Sequence, residues 1–218
     1  MSAAADRLHR VRSDIASAAK LARRESSEVT LIAVSKTRGA EAIEDLIAAG
    51  QRDFGESRVQ EALAKWPPIL VAHPDITLHA IGRLQSNKAA EAVRLFDAIH
   101  SLDRLSLLEA LVREADNQGG QPSVYAQVNI GDEARKGGCA IEAVGELIAA
   151  VRASPLPLAG LMAIPPLDVE PAPYFALLAE IARRHGVTGL SMGMSADFKA
   201  AVMLGATAVR IGTALFED

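Results

Sequence analysis

The most constraining feature of this sequence is an alternation of two hydrophobic patterns that continues through almost the whole chain. Short apolar runs predict strands, and longer segments with apolar residues at helical spacing lie between them. The predicted strands are Leu31–Ser35, Asp53–Gly55, Leu78–Gly82, Ala98–Ser101, Val124–Ile130, Leu158–Ile164, Leu190–Met192 and Ala208–Phe216. The predicted helices cover residues 40–49, 57–66, 86–95, 104–116, 141–152, 171–185 and 195–204, and an amphipathic helix covers Ala3–Arg24 before them. Apolar strands that alternate with amphipathic helices are typical of a parallel sheet covered by helices.

Two architectures fit this alternation, an open doubly wound sheet and a closed (β/α)8 TIM barrel. Without the leading helix, the chain provides about 24 residues for each strand–helix unit, which suits a compact barrel. No Gly-x-Gly-x-x-Gly turn follows the first predicted strand, which disfavours an open dinucleotide-binding sheet. Proline pairs such as Pro67–Pro68 are short and are predicted to lie in loops. We therefore expect a single α/β domain over residues 1–218, a TIM barrel with an extra amino-terminal helix.

Composition excludes several classes of protein. The chain has 23 Lys and Arg against 27 Asp and Glu, a net charge of −4, whereas nucleic-acid-binding proteins usually carry a basic field. The sole cysteine, Cys139, excludes an internal disulfide and a zinc site made of several cysteines. No apolar run reaches the roughly 18 residues of a membrane span, and the amino terminus lacks the apolar core of a secretory signal. We expect a cytoplasmic protein with no nucleic-acid or membrane partner.

The candidate site lies where the predicted strands end, because active sites of TIM barrels are built at the carboxyl ends of their strands. Lys36 directly follows the first strand, at a point where the barrel walls are expected to shield its amine from water. Loss of water favours the neutral amine, which can form a Schiff base with an aldehyde. A lysine that only caps a strand and reaches into solvent is the alternative interpretation.

A phosphate site is predicted at the ends of the last two strands. Gly193, Met194 and Ser195 lead into a predicted helix with Ser195 at its N-cap, where backbone N–H groups can face an anion. Gly212 and Thr213 offer a second backbone approach and a hydroxyl, and barrels frequently bind phosphate with these two loops. The alternative is an ordinary capped helix beside a rim of small residues. A carboxylate at Asp197 must point away from any bound phosphate.

Arg210 is predicted to point into the barrel, because strand alternation places Val209 and Ile211 on the side that faces the helices. Closure of the barrel brings the eighth strand next to the first, and so brings Arg210 towards Lys36. A structural salt bridge from Arg210 to Glu56 is an open alternative. An amine, a phosphate site and a cation together match pyridoxal 5′-phosphate (PLP), which has an aldehyde, a phosphate and a ring nitrogen.

Seven motifs, in order, also resemble those of the pyridoxal phosphate homeostasis proteins, which are related to the amino-terminal barrel of alanine racemase. They are LIAVSKT at 31–37, FGESRVQEALAK at 54–65, HAIGRLQSNKA at 79–89, HSLD at 100–103, GLMAI at 160–164, LSMGMSADF at 190–198 and VRIGTALF at 209–216. The resemblance implies a type III-like PLP barrel with a Schiff base on Lys36, phosphate contacts from Ser195, Gly212 and Thr213, and Arg210 near the pyridine nitrogen. Gly193 and Ser57 complete the expected cofactor-binding set. The chain departs from the family pattern at Ser57, where asparagine is usual, and at Leu78, Ala80 and Glu217.

The resemblance implies a PLP carrier that is not an enzyme, holds the cofactor for homeostasis and passes it to apo-enzymes. We expect a monomer or weak dimer, since the leading helix can either cover the bottom of the barrel or form a dimer contact. The alternatives are a fold-type III amino-acid racemase and a sugar-phosphate barrel in which Lys36 binds a sugar aldehyde. Racemisation needs proton-transfer groups on both faces of the bound substrate. The only tyrosines are Tyr125, early in the fifth strand, and Tyr174, at the start of a helix. Neither is placed for that role, and no second domain is expected after strand eight.

Overall fold

Eight parallel strands close into a barrel in the computed structural model, which describes residues 2–134 and 136–217. The strands pair in chain order, and the last pairs with the first, so that Arg210 lies beside Ile32. Their bounds are β1 Thr30–Val34, β2 Asp53–Glu56, β3 Thr77–Ala80, β4 Ala98–Leu102, β5 Ser123–Gln127, β6 Leu158–Met162, β7 Leu190–Ser191 and β8 Ala208–Ile211. The predicted TIM barrel is confirmed, and the open doubly wound alternative is wrong.

Helices cover the outside of the barrel. They are α1 Ala3–Leu21, α2 Ala40–Ala48, α3 Val59–Ala72, α4 Ala89–Leu95, α5 Leu105–Gln118, α6 Val144–Arg152, α7 Ala172–Arg184, α8 Phe198–Met203 and α9 Thr213–Phe216, with 3-10 turns at Ser26–Glu28, Ser86–Lys88 and Ile141–Ala143. The apolar face of α1, which includes Leu8, Val11 and Ile15, is buried, and α1 packs against α8 and α9. Within the described ranges, no helix is both long and apolar enough to cross a membrane.

The two faces of the barrel strands carry different chemistry. Outward side chains pack under the helices, as where Phe54 of β2 contacts Trp66 of α3 with ring centroids 5.2 Å apart. The interior instead holds polar side chains, including His79, His100 and Arg210, all buried. Burying such groups costs free energy unless each finds a hydrogen-bond partner. The polar interior of this barrel therefore points to a site rather than to packing alone.

The prediction that Pro67 and Pro68 lie in a loop is wrong, because both lie inside α3. A proline within a helix removes a backbone hydrogen bond and crowds the preceding turn. The neighbouring Trp66 is fully buried and Ile69 is 4% exposed. Burial of these two side chains against the barrel offsets the local cost and keeps the helix continuous.

Two further boundaries near the site differ from the prediction. Strand β8 ends at Ile211 instead of Phe216, and a short helix, α9, follows at Thr213. Leu215 on that helix is fully buried, so the apolar residues predicted as the end of the strand instead form the buried face of a helix. Helix α8 begins at Phe198 with Asp197 at its N-cap, so the predicted N-cap at Ser195 is wrong.

Candidate functional site

A cavity of about 490 Å³ opens at the carboxyl end of the barrel. It lies between the ends of β1 and β8 and the loop that joins β7 to α8. Six of the seven predicted site residues line it, namely Lys36, Ser57, Ser195, Arg210, Gly212 and Thr213. The residues converge because the strands of a closed parallel barrel all have their carboxyl ends at the same rim.

Lys36 lies on an exposed turn directly after β1. Strand β1 ends in a buried segment and Ser35 is fully buried, whereas Lys36 is exposed. The expectation that the barrel walls shield this amine from water is therefore wrong. Within the described ranges its Nζ has no hydrogen-bond or ion-pair partner. The amine is free to reach into the cavity.

The turn that carries Lys36 is held from helix α3. Thr37 adopts a positive φ of 62°, which is uncommon for a residue other than glycine. Its backbone N–H donates to Glu61 Oε1 at 2.6 Å. Lys65 Nζ donates to the carbonyl oxygens of Ser35 and Arg38, at 2.9 and 3.2 Å. These contacts fix the backbone on both sides of Lys36 while its side chain stays unpaired.

Glu56 lies under the same turn and belongs to a buried ion pair that the sequence did not predict. Its Oε1 lies 2.7 Å from Lys65 Nζ and accepts hydrogen bonds from Ser35 Oγ at 2.7 Å and Trp66 Nε1 at 2.9 Å. The alternative of a salt bridge between Glu56 and Arg210 is wrong. Strand alternation explains why, because Glu56 faces the helices and Arg210 faces the barrel interior.

The loop from β7 to α8 presents backbone donors to the cavity. Ser195 and Ala196 line the cavity, and within the part of the chain that the structure describes their N–H groups have no hydrogen-bond acceptor. Asp197 Oδ1 accepts from the N–H of Met194 at 2.6 Å, and Asp197 is absent from the cavity lining. The carboxylate thus binds within the loop, and the N–H groups of Ser195 and Ala196 remain available to a ligand in the cavity.

Gly193 shapes this loop and does not line the cavity. Its φ is +95°, and a Cβ at this position would lie 2.6 Å from Ala201 Cβ and 3.0 Å from Phe198 Cα. Glycine is therefore required here for its backbone conformation and for the close approach of α8.

Gly212 and Thr213 form the opposite side of the rim, where β8 passes into α9. A Cβ on Gly212 would meet Val34 at an ordinary 3.6 Å. Thr213 is exposed, so its hydroxyl is accessible from the cavity. An ion pair between Arg38 and Glu217 lies on the same rim and completes the mouth.

Arg210 points into the barrel, as predicted, and is 4% exposed. Its Nη1 donates to Ser191 O at 2.7 Å and to Ser191 Oγ at 2.5 Å, and its Nη2 donates to Ala163 O at 3.0 Å. Desolvation by burial lowers the pKa of Arg210 to about 10, against an opposing effect of Asp197 and Tyr125. The guanidinium remains a cation at neutral pH and faces the floor of the cavity.

Comparison with known proteins assigns this barrel to a class. Residues 7–218 match the family model described as alanine racemase, N-terminal domain. The fold and the lysine-bearing cavity thus define a barrel of the alanine racemase N-terminal type.

Individual relatives narrow the assignment. The pyridoxal phosphate homeostasis protein of Pseudomonas aeruginosa is 43% identical over 99% of this chain and 96% of its own length. The pyridoxal phosphate homeostasis protein of Escherichia coli K12 is 40% identical over 97% and 95%. PipY of Synechococcus elongatus PCC7942, solved with PLP bound, superposes with a TM-score of 0.84 at 41% identity, over 98% of this chain and 99% of PipY. The chain belongs to the pyridoxal phosphate homeostasis protein family.

Proposed function

We propose that this chain binds PLP as a Schiff base on Lys36 and serves PLP homeostasis in the cytoplasm, where it holds the cofactor and delivers it to apo-enzymes. One observation carries the proposal. A single cavity brings together an amine after β1 and two N–H groups after β7, none of which has a partner among residues 2–134 and 136–217, and a buried guanidinium on β8. PLP supplies an aldehyde that condenses with a primary amine, a phosphate dianion and a ring nitrogen.

The exposed position of Lys36 suits reversible capture of an aldehyde. Formation of the Schiff base releases one water molecule, and hydrolysis by water returns the amine. A lysine at an open mouth remains accessible to water, whereas a closed site would exclude it. The clamped backbone of the turn keeps the amine at the mouth while its side chain moves. This combination favours a protein that holds a cofactor and also releases it.

The anion-binding part of the cavity is assigned to the two loops after β7 and β8. The N–H groups of Ser195 and Ala196 and the hydroxyls of Ser195 and Thr213 are donors suited to a phosphate. Gly212 leaves the rim open beside them. Gly193 contributes through the shape of its loop, and Ser57 adds a hydroxyl at the cavity wall.

Arg210 affects the chemistry that bound PLP could support. A guanidinium near the ring nitrogen disfavours protonation of that nitrogen, because two like charges would face each other. The ring is then a weak electron sink. The residues that line this cavity, within the ranges described, include no tyrosine to hold a proton on the second face. We therefore propose that the chain does not racemise amino acids.

Borohydride reduction followed by tryptic peptide mapping tests the binding site. We expect the reduced PLP label on the peptide of residues 25–38, with cleavage blocked at Lys36. A Lys36→Ala variant should lose the label from this segment, and Lys20→Ala, which removes an exposed lysine on α1, should keep it. Wild-type protein that carries no label on this peptide after incubation with PLP would refute the proposal.

Two measurements test the role of carrier. PLP-loaded protein mixed with an apo-enzyme that depends on PLP should restore the activity of that enzyme. L-Alanine incubated with the loaded protein in deuterium oxide should keep its α-hydrogen. Enzyme-like exchange of that hydrogen would instead support the racemase.

A further inference from the structure

A continuous chain of hydrogen bonds crosses the barrel interior from Asp53 to Arg210. His79 Nε2 lies 3.1 Å from Asp53 Oδ1, and His79 Nδ1 lies 3.0 Å from His100 Nε2. His100 Nδ1 lies 2.8 Å from Ser191 Oγ, which accepts from Arg210 Nη1 at 2.5 Å. We name these five residues the interior chain. Each strand that contributes to it, from β2 to β4 and then β7 and β8, supplies one member.

The interior chain joins two cavities at opposite ends of the barrel. Arg210 lines the cavity that holds Lys36, at the carboxyl end. Asp53 lines a second cavity of about 360 Å³ at the amino ends of β1 and β2, and its side chain is 32% exposed. The three members between these ends are buried. Only the ends of the interior chain therefore meet solvent-accessible space.

Along the interior chain, each residue donates its hydrogen to the next one, from Arg210 to Asp53. A guanidinium only donates, so Ser191 Oγ must accept from Arg210. Among the described residues, the other partner of Ser191 Oγ is His100 Nδ1, so the hydroxyl hydrogen of Ser191 has an acceptor only if His100 Nδ1 receives it. His100 then carries its hydrogen on Nε2 and donates to His79 Nδ1, and His79 Nε2 donates to the Asp53 carboxylate. Every donor finds an acceptor only while both imidazoles are neutral.

The surroundings of His100 favour that neutral state. His100 is fully buried, and its ring stacks on Tyr125 of β5 with centroids 4.2 Å apart. Desolvation, followed by the nearby His79 and Arg210, holds the pKa of His100 well below its usual value. The charged or titratable groups around the imidazole pair are Asp53, Tyr125 and Arg210.

We propose that His79 and His100 are positioning residues, which orient the Ser191 hydroxyl as the acceptor for Arg210 and so fix the guanidinium beneath the cofactor cavity. This proposal rests on the proposed function, because it gives that guanidinium a PLP ring nitrogen to face. Addition of one proton to the imidazole pair removes an acceptor from the interior chain. The hydroxyl hydrogen of Ser191 then has no acceptor among the described residues, and one of the three hydrogen bonds that orient Arg210 is weakened.

Imidazole nitrogen NMR on the protein without PLP tests the direction of the interior chain. Signals of His79 and His100 are assigned by comparison with His79→Gln and His100→Gln variants. At pH 7 we expect both imidazoles to be neutral with hydrogen on Nε2. An imidazolium, or hydrogen on Nδ1 of either residue, would overturn the proposal, and this outcome does not depend on whether PLP binds.

Binding measurements on variants test the effect at the site. His100→Gln and Ser191→Ala should each weaken PLP binding about tenfold, which is the expected effect of one lost buried hydrogen bond. The double variant should be hardly weaker than either single variant, because both changes break the same chain. Both single variants should also shift the visible absorbance band of bound PLP, which a change in packing alone would leave in place.

The control variants separate this effect from general damage. His73→Gln makes the same chemical change at a histidine that pairs with Glu44 outside the barrel, and should bind PLP like the wild type. Tyr125→Phe keeps the stacked ring and should do the same. If the wild type labels Lys36 but His100→Gln keeps both its affinity and its spectrum, the positioning role fails and the proposed function stands.

Discussion

Lys65 Nζ lies 2.7 Å from Glu56 Oε1, and the two side chains are 11% and 0% exposed. This ion pair connects β2 to α3 beneath the turn that carries Lys36. The ammonium also donates to carbonyl oxygens on both sides of Lys36, those of Ser35 and Arg38. The position of Lys36 is therefore set by a second lysine, Lys65, whose ammonium makes three contacts.

Replacement of Lys65 by methionine should destabilise the protein strongly. Removing the ammonium leaves the carboxylate of Glu56 buried without a counter-ion, which typically costs about 3–5 kcal/mol. Urea unfolding of Lys65→Met against the wild type measures the change. Lys88→Met is the matched control, because Lys88 pairs with Glu91 at side-chain exposures of 31% and 28%. Its loss should cost at most about 1 kcal/mol. Equal effects of the two variants would contradict a special role for the buried pair.

Gly193→Ala should destabilise the protein for two separable reasons. The added methyl meets Ala201 at 2.6 Å, and the backbone at φ +95° strains a residue with a side chain. Gly119→Ala provides the control, because Gly119 has φ +75° and a Cβ there meets nothing within 4 Å. We expect about 1 kcal/mol for Gly119→Ala and about 2–4 kcal/mol for Gly193→Ala. Thermal unfolding of both variants measures the difference in stability. Equal losses of stability would show that α8 can shift to accommodate the added methyl without cost.

Asp197→Asn should strengthen the binding of inorganic phosphate. The amide oxygen can still accept from the N–H of Met194, while the negative charge beside the donors of Ser195 and Ala196 is removed. We expect roughly a threefold gain in affinity, as one partly exposed charge is worth somewhat under 1 kcal/mol. Calorimetric titration with phosphate measures it. Asp116→Asn, an exposed change on α5, should have no effect. Unchanged binding by Asp197→Asn would argue against an anion site in this loop.

The barrel and the meeting of the site residues could be predicted because both follow from periodicity. Strand alternation alone placed Arg210 inside, and barrel closure brought it to the same cavity as Lys36. These inferences need only the order of strands and the direction of each side chain. They do not require knowledge of which helix residues lie above the strands.

The features that escaped prediction depend on contacts between distant segments. Glu56 pairs with Lys65 because α3 passes over β2, and α3 continues through Pro67 and Pro68 because its apolar face is buried. Helix α8 begins at Phe198 because the side chain of Asp197 closes the preceding turn. Local sequence favours Ser195 as an N-cap equally well, so only the folded loop decides between them.

The single cysteine makes the stability of the protein depend on pH in the alkaline range, and a Cys139 variant can separate this contribution from others. Cys139 follows β5, is 9% exposed, and its N–H donates to Gln127 O at 2.8 Å. Burial raises the pKa of this thiol to about 11, from an ordinary value of 9.0. Because the thiolate is favoured in the unfolded chain, the stabilisation from the neutral thiol is complete below about pH 9 and is lost as the pH approaches about 11.

The free energy of unfolding of the wild type should therefore fall more steeply with pH than that of Cys139→Ala. The expected extra loss is about 2 kcal/mol between about pH 8 and about pH 10.5. Urea unfolding of both proteins across this range measures it, and the comparison cancels the titration of tyrosines and lysines that both proteins share. Parallel curves for the two proteins would mean that Cys139 ionises in the folded protein as readily as in the unfolded chain.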